Sequence, residues 1–147
     1  MTVTFFGHRT APDSIKPKLI GVIEELIEHS GANVFYVGHQ GNFDRIVLSA
    51  LKEIKTRYPH IDYAVVLAHM PTERNELDDF ETVYPEGLER TPRKFAIFKR
   101  NLWITDRCDT VVSYVLGPGG GAAKFVELAE KKGKRIINLA QMKSPLR

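Results

Sequence analysis

The sequence lacks the features that mark secreted and membrane-spanning proteins. Cys108 is the only cysteine among 147 residues, which excludes a disulfide within the chain and suits a reducing compartment. No apolar run is long enough to cross a bilayer, and the apolar stretch over residues 2–6 is too short for a signal peptide. We therefore predict a cytoplasmic protein with no membrane partner.

Charge of either sign is not in excess. Lys and Arg number 21 and Asp and Glu number 18, and the net charge of +3 is too small to indicate a nucleic-acid partner by itself. Hydrophobic residues make up 43% and charged residues 27%, close to globular averages, which argues against wholesale disorder. With no internal repeats, the length predicts one domain over residues 1–147.

The most informative stretch is a glycine-rich turn at residues 117–123. It follows an apolar, β-branched run and precedes a helical pattern. Glycines let backbone amides approach a phosphate, and a helix N-terminus attracts anions, so we predict a phosphate-binding turn here. The predicted contacts are Gly119, Gly120, Gly121 and Ala122. The run is neither the spaced Gly-x-Gly-x-x-Gly of dinucleotide enzymes nor a P-loop, since no Gly-Lys-Ser/Thr follows.

Strand and helix patterns alternate along the chain. Strands are predicted over 2–6, 33–38, 61–68, 110–115 and 135–139, and helices over about 13–29, 42–58 and 93–106. A fourth helix is predicted to follow the glycine run and to end at about residue 132. This order predicts a single three-layer Rossmann-like α/β domain, with a mainly parallel sheet of about five strands and the first strand central. Residues 69–92 are predicted as a long loop that can hold a short helix or strand. Such a loop is either functional or a solvated acidic surface.

Unusual residues fall at the predicted strand ends, where this class of fold binds ligands. Gly7, His8 and Arg9 follow the first strand and are expected to face the glycine turn, with Arg9 offering a forked charge to a phosphate. The structural alternatives are that Gly7 simply ends the strand and that backbone groups satisfy His8.

A second candidate cluster opens the helix predicted from residue 42, which Asn42 is expected to cap. The spacing of Gly41, Asp44 and Arg45 places a carboxylate where a ribose hydroxyl can be held, although Asp44 can also simply complement the helix dipole. His8, His39 and His69 all lie at strand ends, but their spacing matches no standard zinc pattern. We predict no metal and no cofactor.

Four motifs in order resemble the Rossmann-like SLOG superfamily, especially its small YpsA-like branch. They are Phe5-Phe6-Gly7-His8-Arg9, Gly41-Asn42-Phe43-Asp44-Arg45, Lys99-Arg100-Asn101, and Asp109-Thr110-Val111-Val112 followed by Gly120-Gly121-Ala122. That superfamily includes the Lonely Guy phosphoribohydrolases and the DNA-processing protein DprA. The resemblance implies a nucleotide or nucleotide-derived ligand, such as ADP-ribose, NAD or a nucleoside monophosphate. It also implies that Arg100 assists at the phosphate, while Asn101 and His8 orient the rest.

The turn departs from the hydrolase motif Pro-Gly-Gly-x-Gly-Thr-x-x-Glu of that superfamily. Ala122 and Ala123 replace the Gly-Thr pair, and Val126 stands at the glutamate position. Glu127 is one residue late, which is about 100° around a helix. Because glycosidic hydrolysis needs a carboxylate, we expect a binding protein, a sensor or regulator, rather than an enzyme. A nucleotide N-glycosidase using Asp44 as its catalytic carboxylate is the alternative.

Two surface patterns bear on partners. A DprA-like DNA-binding role would rest on the basic residues Arg90, Arg93, Lys94, Lys99, Arg100 and Arg107. A solvated helix is the favoured interpretation of that run, because nucleic-acid binding usually needs aromatic stacking platforms among the charges. The apolar set Phe95, Phe98, Leu102 and Trp103 exceeds what one helix in a small core needs, which predicts a homodimer through the helix over 93–106.

Overall fold

The computed structural model describes residues 1–70 and 80–142. The strands are β1 (Thr2–Gly7), β2 (Val34–Val37), β3 (Asp62–Val66), β4 (Thr82–Val83), β5 (Thr110–Tyr114) and β6 (Arg135–Asn138). The α-helices are α1 (Lys16–Ser30), α2 (Asn42–Arg57), α3 (Ala96–Arg107) and α4 (Gly121–Lys131). The strands form one six-stranded sheet in the order β4-β3-β2-β1-β5-β6, and every pair is parallel. The Rossmann-like α/β fold and the central position of β1 are confirmed.

The sixth strand is the difference from the predicted sheet of about five. β4 pairs with β3 through Val65↔Thr82 and Val66↔Val83, inside the segment predicted as a long loop that can hold a short helix or strand. A strand of two residues is too short to show a period of two in sequence, so no pattern marks it. Residues 71–79 also belong to the predicted loop over 69–92, and they lie outside the described residues.

Helices cover both faces of the sheet. α1 and α2 pack on one face around buried residues such as Leu19, Phe35 and Leu51. α3 and α4 pack on the other, around a smaller cluster that includes Phe6, Ile104 and Phe125. Because both faces are covered, the central strands are apolar on both sides, as in other parallel sheets. No described helix is both long enough and apolar enough to traverse a bilayer.

The order of the strands reverses beside β1. Successive strands β2, β3 and β4 extend to one side of β1, whereas β5 and β6 lie on the other. The carboxyl ends of β1 and β5 are in register, with Gly7 opposite Tyr114. In an open parallel sheet the chains leaving such a reversal diverge and leave a crevice, which is where ligands bind.

Candidate ligand-binding cleft

A cleft of about 400 Å³ opens at this reversal. Its walls come from the end of β1, the loop before α2, one face of α3 and the first turn of α4. Most of the predicted site residues line it together: Gly7, His8, Arg9, Asp44, Arg100, Asn101, Gly120, Gly121 and Ala122. The volume lies in the range of about 300–1,000 Å³ that is usual for small-molecule sites.

The cleft owes its depth to a glycine at the end of β1. A Cβ on Gly7 would lie 2.4 Å from the ring of Phe43, which is fully buried in the first turn of α2. Only a residue without a side chain lets the helix pack that close to the strand. Packing therefore accounts for Gly7, and the same contact shapes the floor of the site.

His8 joins the two walls of the cleft. Its Nε2 accepts a hydrogen bond from the amide of Leu116 at 2.9 Å, and its own backbone N–H donates to the carbonyl of Tyr114 at 3.1 Å. This is the backbone-satisfied histidine given above as the structural alternative, although the residue also lines the cleft. With Nε2 accepting, the neutral imidazole carries its proton on Nδ1, which can donate to a ligand.

Asp44 is a buried carboxylate in the first turn of α2. Only 9% of the residue is exposed, and its Oδ2 accepts a hydrogen bond from the amide of Gln40 at 2.8 Å. Burial raises the pKa of Asp44 to about 6, against the opposing effects of the Gln40 amide, Arg100 and Arg9. A carboxyl group that titrates near neutral pH inside a cleft is a candidate functional group.

Arg100 ties three elements together beneath the cleft. It is 2% exposed, its Nη1 donates to the carbonyl of Val66 at 2.8 Å, and its Nε donates to Oδ1 of Asn101 at 2.6 Å. Burial lowers the pKa of the guanidinium, while Asp44 opposes that change. Because Asn101 Oδ1 is occupied, the amide of Asn101 has its NH₂ group left to present to a ligand.

Asp44 and Arg100 meet over the end of β2. A Cβ on Gly38 would lie 2.9 Å from Asp44 Oδ2 and 3.0 Å from Arg100 Nη1. Both charged groups therefore occupy the space that a side chain at position 38 would take. Each also favours the charged form of the other, as opposite charges at short range do.

The glycine turn opens α4 without a side-chain cap. Gly120 is the N-cap residue, no capping bond from a side chain is found among the described residues, and both Gly119 and Gly120 have positive φ, at 101° and 85°. The first N–H groups of a helix have no partner within it, so here they remain available to an anion. Nothing lies within 4 Å of a Cβ placed on Gly119, Gly120 or Gly121, which leaves room for a ligand above the turn.

Three predicted site residues do not line the cleft: Gly41, Arg45 and Gly119. Gly41, with φ of 95°, allows a close approach of Arg9, whose Cα would lie 2.7 Å from a Cβ at that position. Arg45 is exposed and donates to Asn42 Oδ1 through Nε at 2.9 Å and Nη2 at 2.6 Å. The prediction that Asn42 caps α2 is wrong, since the N-cap residue is Gly41 and no side chain bonds there.

A second cavity lies on the other side of the glycine turn. It measures about 590 Å³ and is lined by residues that include Gly119, Lys124 and Glu127. Glu127 is exposed and pairs with Lys131 at 3.3 Å. It does not line the first cleft, as its one-residue displacement from the hydrolase motif leads one to expect.

Sequence reasoning did not single out several lining residues, among them Gly38, Gln40, Ile97 and Ile104. A signal for two of them was present. Ile97 stands three residues before Arg100, and Ile104 stands three residues after Asn101. A separation of three residues places side chains on the same face of a helix. Gly38 and Gln40 belong to a strand-end loop, whose course depends on tertiary contacts.

No metal-binding group is present in the parts of the chain that the structure describes. Across residues 1–70 and 80–142, no three His, Cys, Asp or Glu side chains lie where they could hold an ion. His8 lines the cleft, whereas His39 and His69 do not.

Comparison with solved structures shows the same fold in DNA processing protein A (DprA) from Streptococcus pneumoniae. The match has a TM-score of 0.66 and 19% sequence identity, and it covers 92% of this chain but 48% of that one. The chain thus spans about half the length of the DprA chain that it resembles. No protein-family model matches the sequence, and no curated protein matches it either.

Proposed function

We propose that this protein binds a nucleotide or nucleotide-derived ligand in the cleft at the end of β1. The observation that supports it is the uncapped N-terminus of α4 facing into the same cleft as Arg9, Arg100 and Asp44. The amides of the turn and the Arg9 guanidinium offer an anion site, while Asp44 offers an acceptor for sugar hydroxyls. A phosphorylated sugar has both kinds of group.

A binding role, as a sensor or regulator, fits the cleft better than the hydrolysis known from the hydrolase motif. Val126 stands at the position of that motif's glutamate, and Glu127 lies outside the cleft. The DprA-like fold also agrees with the SLOG resemblance of the sequence, and assignment to the YpsA-like branch is part of this proposal.

Isothermal titration calorimetry against AMP, ADP-ribose, NAD and cyclic nucleotides tests the proposal. We expect binding of at least one ligand in the micromolar range, about −8 kcal/mol. Gly120→Ala should weaken it, whereas Gly117→Ala, at a position without positive φ or nearby atoms, should not. No heat of binding with any of these ligands would refute the proposal.

A second candidate function is nucleotide N-glycosidase activity with Asp44 as the catalytic carboxylate. The observation in its favour is the pKa of about 6 that burial gives Asp44, because a carboxyl group titrating near neutral pH can exchange protons during turnover. Release of free adenine from AMP, abolished in Asp44→Asn, would support it. AMP that remains intact after prolonged incubation with the purified wild-type protein would count against it.

A third candidate is single-stranded DNA binding on the face of α3 beside the cleft. Phe95 and Phe98 are exposed, with Lys94 Nζ 5.2 Å and Lys124 Nζ 5.7 Å from their respective ring centroids. Binding of single-stranded nucleic acid usually needs aromatic rings among the positive charges. From the sequence this role is disfavoured, because such rings are not expected here. A gel-shift assay should show binding that weakens steeply with salt and is lost in Phe95→Ala/Phe98→Ala; salt-insensitive or absent binding contradicts it.

A further inference from the structure

Resting on the proposed function, we infer that Asn42, fixed in its turn by Arg45, positions Arg9 to bind a phosphate in the cleft. Asn42 and Arg45 both lie outside the cleft lining, so they act on a ligand only through Arg9 and the loop that carries it, residues 8–13. The cleft could bind nucleotides without this arrangement, so the two claims can be tested apart.

Arg9 is a cation of the cleft whose side chain has no anchor of its own. It is exposed and lines the cleft, where its charge opposes the rise in the pKa of Asp44. Within the described ranges, no hydrogen bond or ion pair holds its guanidinium, whereas Arg100 is tied to Val66 and Asn101. The position of the Arg9 backbone therefore decides whether the side chain reaches an anion, and ordering that backbone beforehand lowers the entropic cost of binding.

Asn42 joins the loop that carries Arg9 to the start of α2 at three points. Its backbone N–H donates to the carbonyl of Arg9 at 2.9 Å. Its Nδ2 donates to the carbonyl of Ala11 at 2.7 Å and to Oδ1 of Asp13 at 2.8 Å. One residue thus bonds to every second position of the loop from 9 to 13, and the loop cannot shift without breaking bonds to Asn42.

Arg45 fixes the side-chain amide of Asn42 in the orientation that the loop needs. Asn42 Oδ1 accepts hydrogen bonds from both Nε and Nη2 of Arg45, at 2.9 and 2.6 Å. The amide thereby uses both of its donor hydrogens and both acceptor sites of its oxygen. A reversed amide would place its NH₂ against the guanidinium and its oxygen against the carbonyl of Ala11. The exposed Arg45 therefore has a role that needs no contact with a ligand.

Gly41 brings the backbone of Arg9 and the start of α2 together. Its φ of 95° suits glycine, and a Cβ there would lie 2.7 Å from Arg9 Cα. Asn42 and Arg45 are three residues apart and share one side of α2, whereas Asp44 lines the cleft. The cluster that opens α2 therefore divides in two. Asp44 faces the ligand, while Gly41, Asn42 and Arg45 support Arg9.

Calorimetric titration with AMP tests the inference. Asn42→Ala should weaken AMP binding about tenfold, because the loop loses its side-chain bonds, and Arg45→Ala should weaken it about fivefold, because the Asn42 amide is then free to turn. Lys52→Ala is the matched control, since it removes a cation from the exposed surface of the same helix and Lys52 does not line the cleft. We expect this variant to bind AMP as wild type does.

A double-mutant cycle with Arg9→Ala separates the positioning of Arg9 from general support of the fold. Arg9→Ala itself should weaken AMP binding about tenfold. In the Arg9→Ala background, Asn42→Ala and Arg45→Ala should each change AMP affinity by no more than about twofold, since the group that they position is gone. A residue that merely supports the fold would weaken binding by the same factor whether or not Arg9 is present.

Each possible result decides the inference. Losses of equal size in the wild-type and Arg9→Ala backgrounds overturn it and leave the proposed function standing, and so does an unchanged AMP affinity in any of the three single variants. If AMP gives no heat with the wild-type protein, the inference fails, and the proposed function then rests on the other ligands of its panel. Arg45 is exposed, so Arg45→Ala with its Arg9→Ala counterpart gives the decision even if Asn42→Ala does not fold.

Discussion

Asp44 illustrates how a residue proposed to bind a ligand can oppose stability. Its pKa rises from 3.8 to about 6 on folding, mainly because burial disfavours the carboxylate. The folded protein then binds this proton more tightly than the unfolded chain does. The contribution of Asp44 to the free energy of unfolding is therefore highest below about pH 4 and falls as the pH rises to about 6, by about 3 kcal/mol.

Replacing Asp44 by Asn should consequently stabilise the ligand-free protein near neutral pH. We expect the free energy of unfolding of Asp44→Asn to exceed that of wild type by about 1–3 kcal/mol at about pH 7.5, and to match it at about pH 4. Urea unfolding of both proteins at the two pH values measures the difference. A variant that is less stable than wild type at the higher pH would show that the carboxylate is needed for folding.

Two glycines, one at the end of β1 and one inside α1, should respond in opposite ways to alanine. Gly7→Ala should lower the free energy of unfolding by about 1–3 kcal/mol, because the new Cβ would meet the Phe43 ring at 2.4 Å. Gly21, on the exposed side of α1, has nothing within 4 Å, so Gly21→Ala should raise it by about 0.5–1 kcal/mol. Thermal unfolding by circular dichroism compares them, and equal effects would contradict the structure around Phe43.

At the scale of a single residue, the sequence predicts the chemical groups of the site better than it predicts which side chains make contact there. The residue types at positions 9 and 44 indicate an anion site with a carboxylate, and the family resemblance adds Arg100. All three residues line the cleft. Arg45 has the same charge as Arg9 and stands beside Asp44, yet it points to Asn42. Neighbouring residues in the first turn of a helix face different directions, and only the docking of that helix decides which one meets the ligand.

Among the elements, α4 and its glycine turn have the most direct consequence for binding. Gly120 adopts φ of 85° and ψ of 167°, a region that residues with a Cβ avoid. Gly120→Ala should therefore cost about 1–3 kcal/mol in stability or, if the turn rearranges, about tenfold in AMP affinity. Calorimetry and thermal unfolding of Gly120→Ala beside Gly117→Ala measure both, and identical behaviour of the two variants would contradict this account.

The elements themselves follow from the sequence wherever the periodicity extends over several turns. Apolar residues at helical spacing predict α1 and α2, and their buried faces are those that the spacing gives. A short helix or strand was allowed for in the long loop, but the position of β4 could not be predicted, because its pairing with β3 is made by backbone groups of two residues and depends on where the sheet edge lies. The capping residue of α2 was also misjudged, since its N-cap residue is Gly41 and not Asn42.

On the scale of the whole molecule, the homodimer stays a prediction. Fewer of the apolar side chains at this helix are exposed for an interface than the sequence indicates. Leu102 and Trp103 pack against the cluster formed by α3 and α4, whereas Phe95, Ile97 and Phe98 are exposed. We expect Phe98→Glu to convert a dimer into a monomer in light scattering at micromolar concentration. Lys52→Glu, on α2 at the other face of the sheet, should not. A monomeric wild-type protein would refute the prediction.

The hydrogen bond from the Leu116 amide to His8 Nε2 makes the ¹⁵N signal of the imidazole sensitive to the position of the glycine turn. The amide involved belongs to the residue that leads into the glycine turn, while the ring belongs to the opposite wall of the cleft. Any ligand that draws the turn inwards must lengthen or shorten this bond, and the ¹⁵N chemical shift of Nε2 will follow. Occupancy of the cleft can thus be read from a single ring nitrogen, without an attached fluorophore.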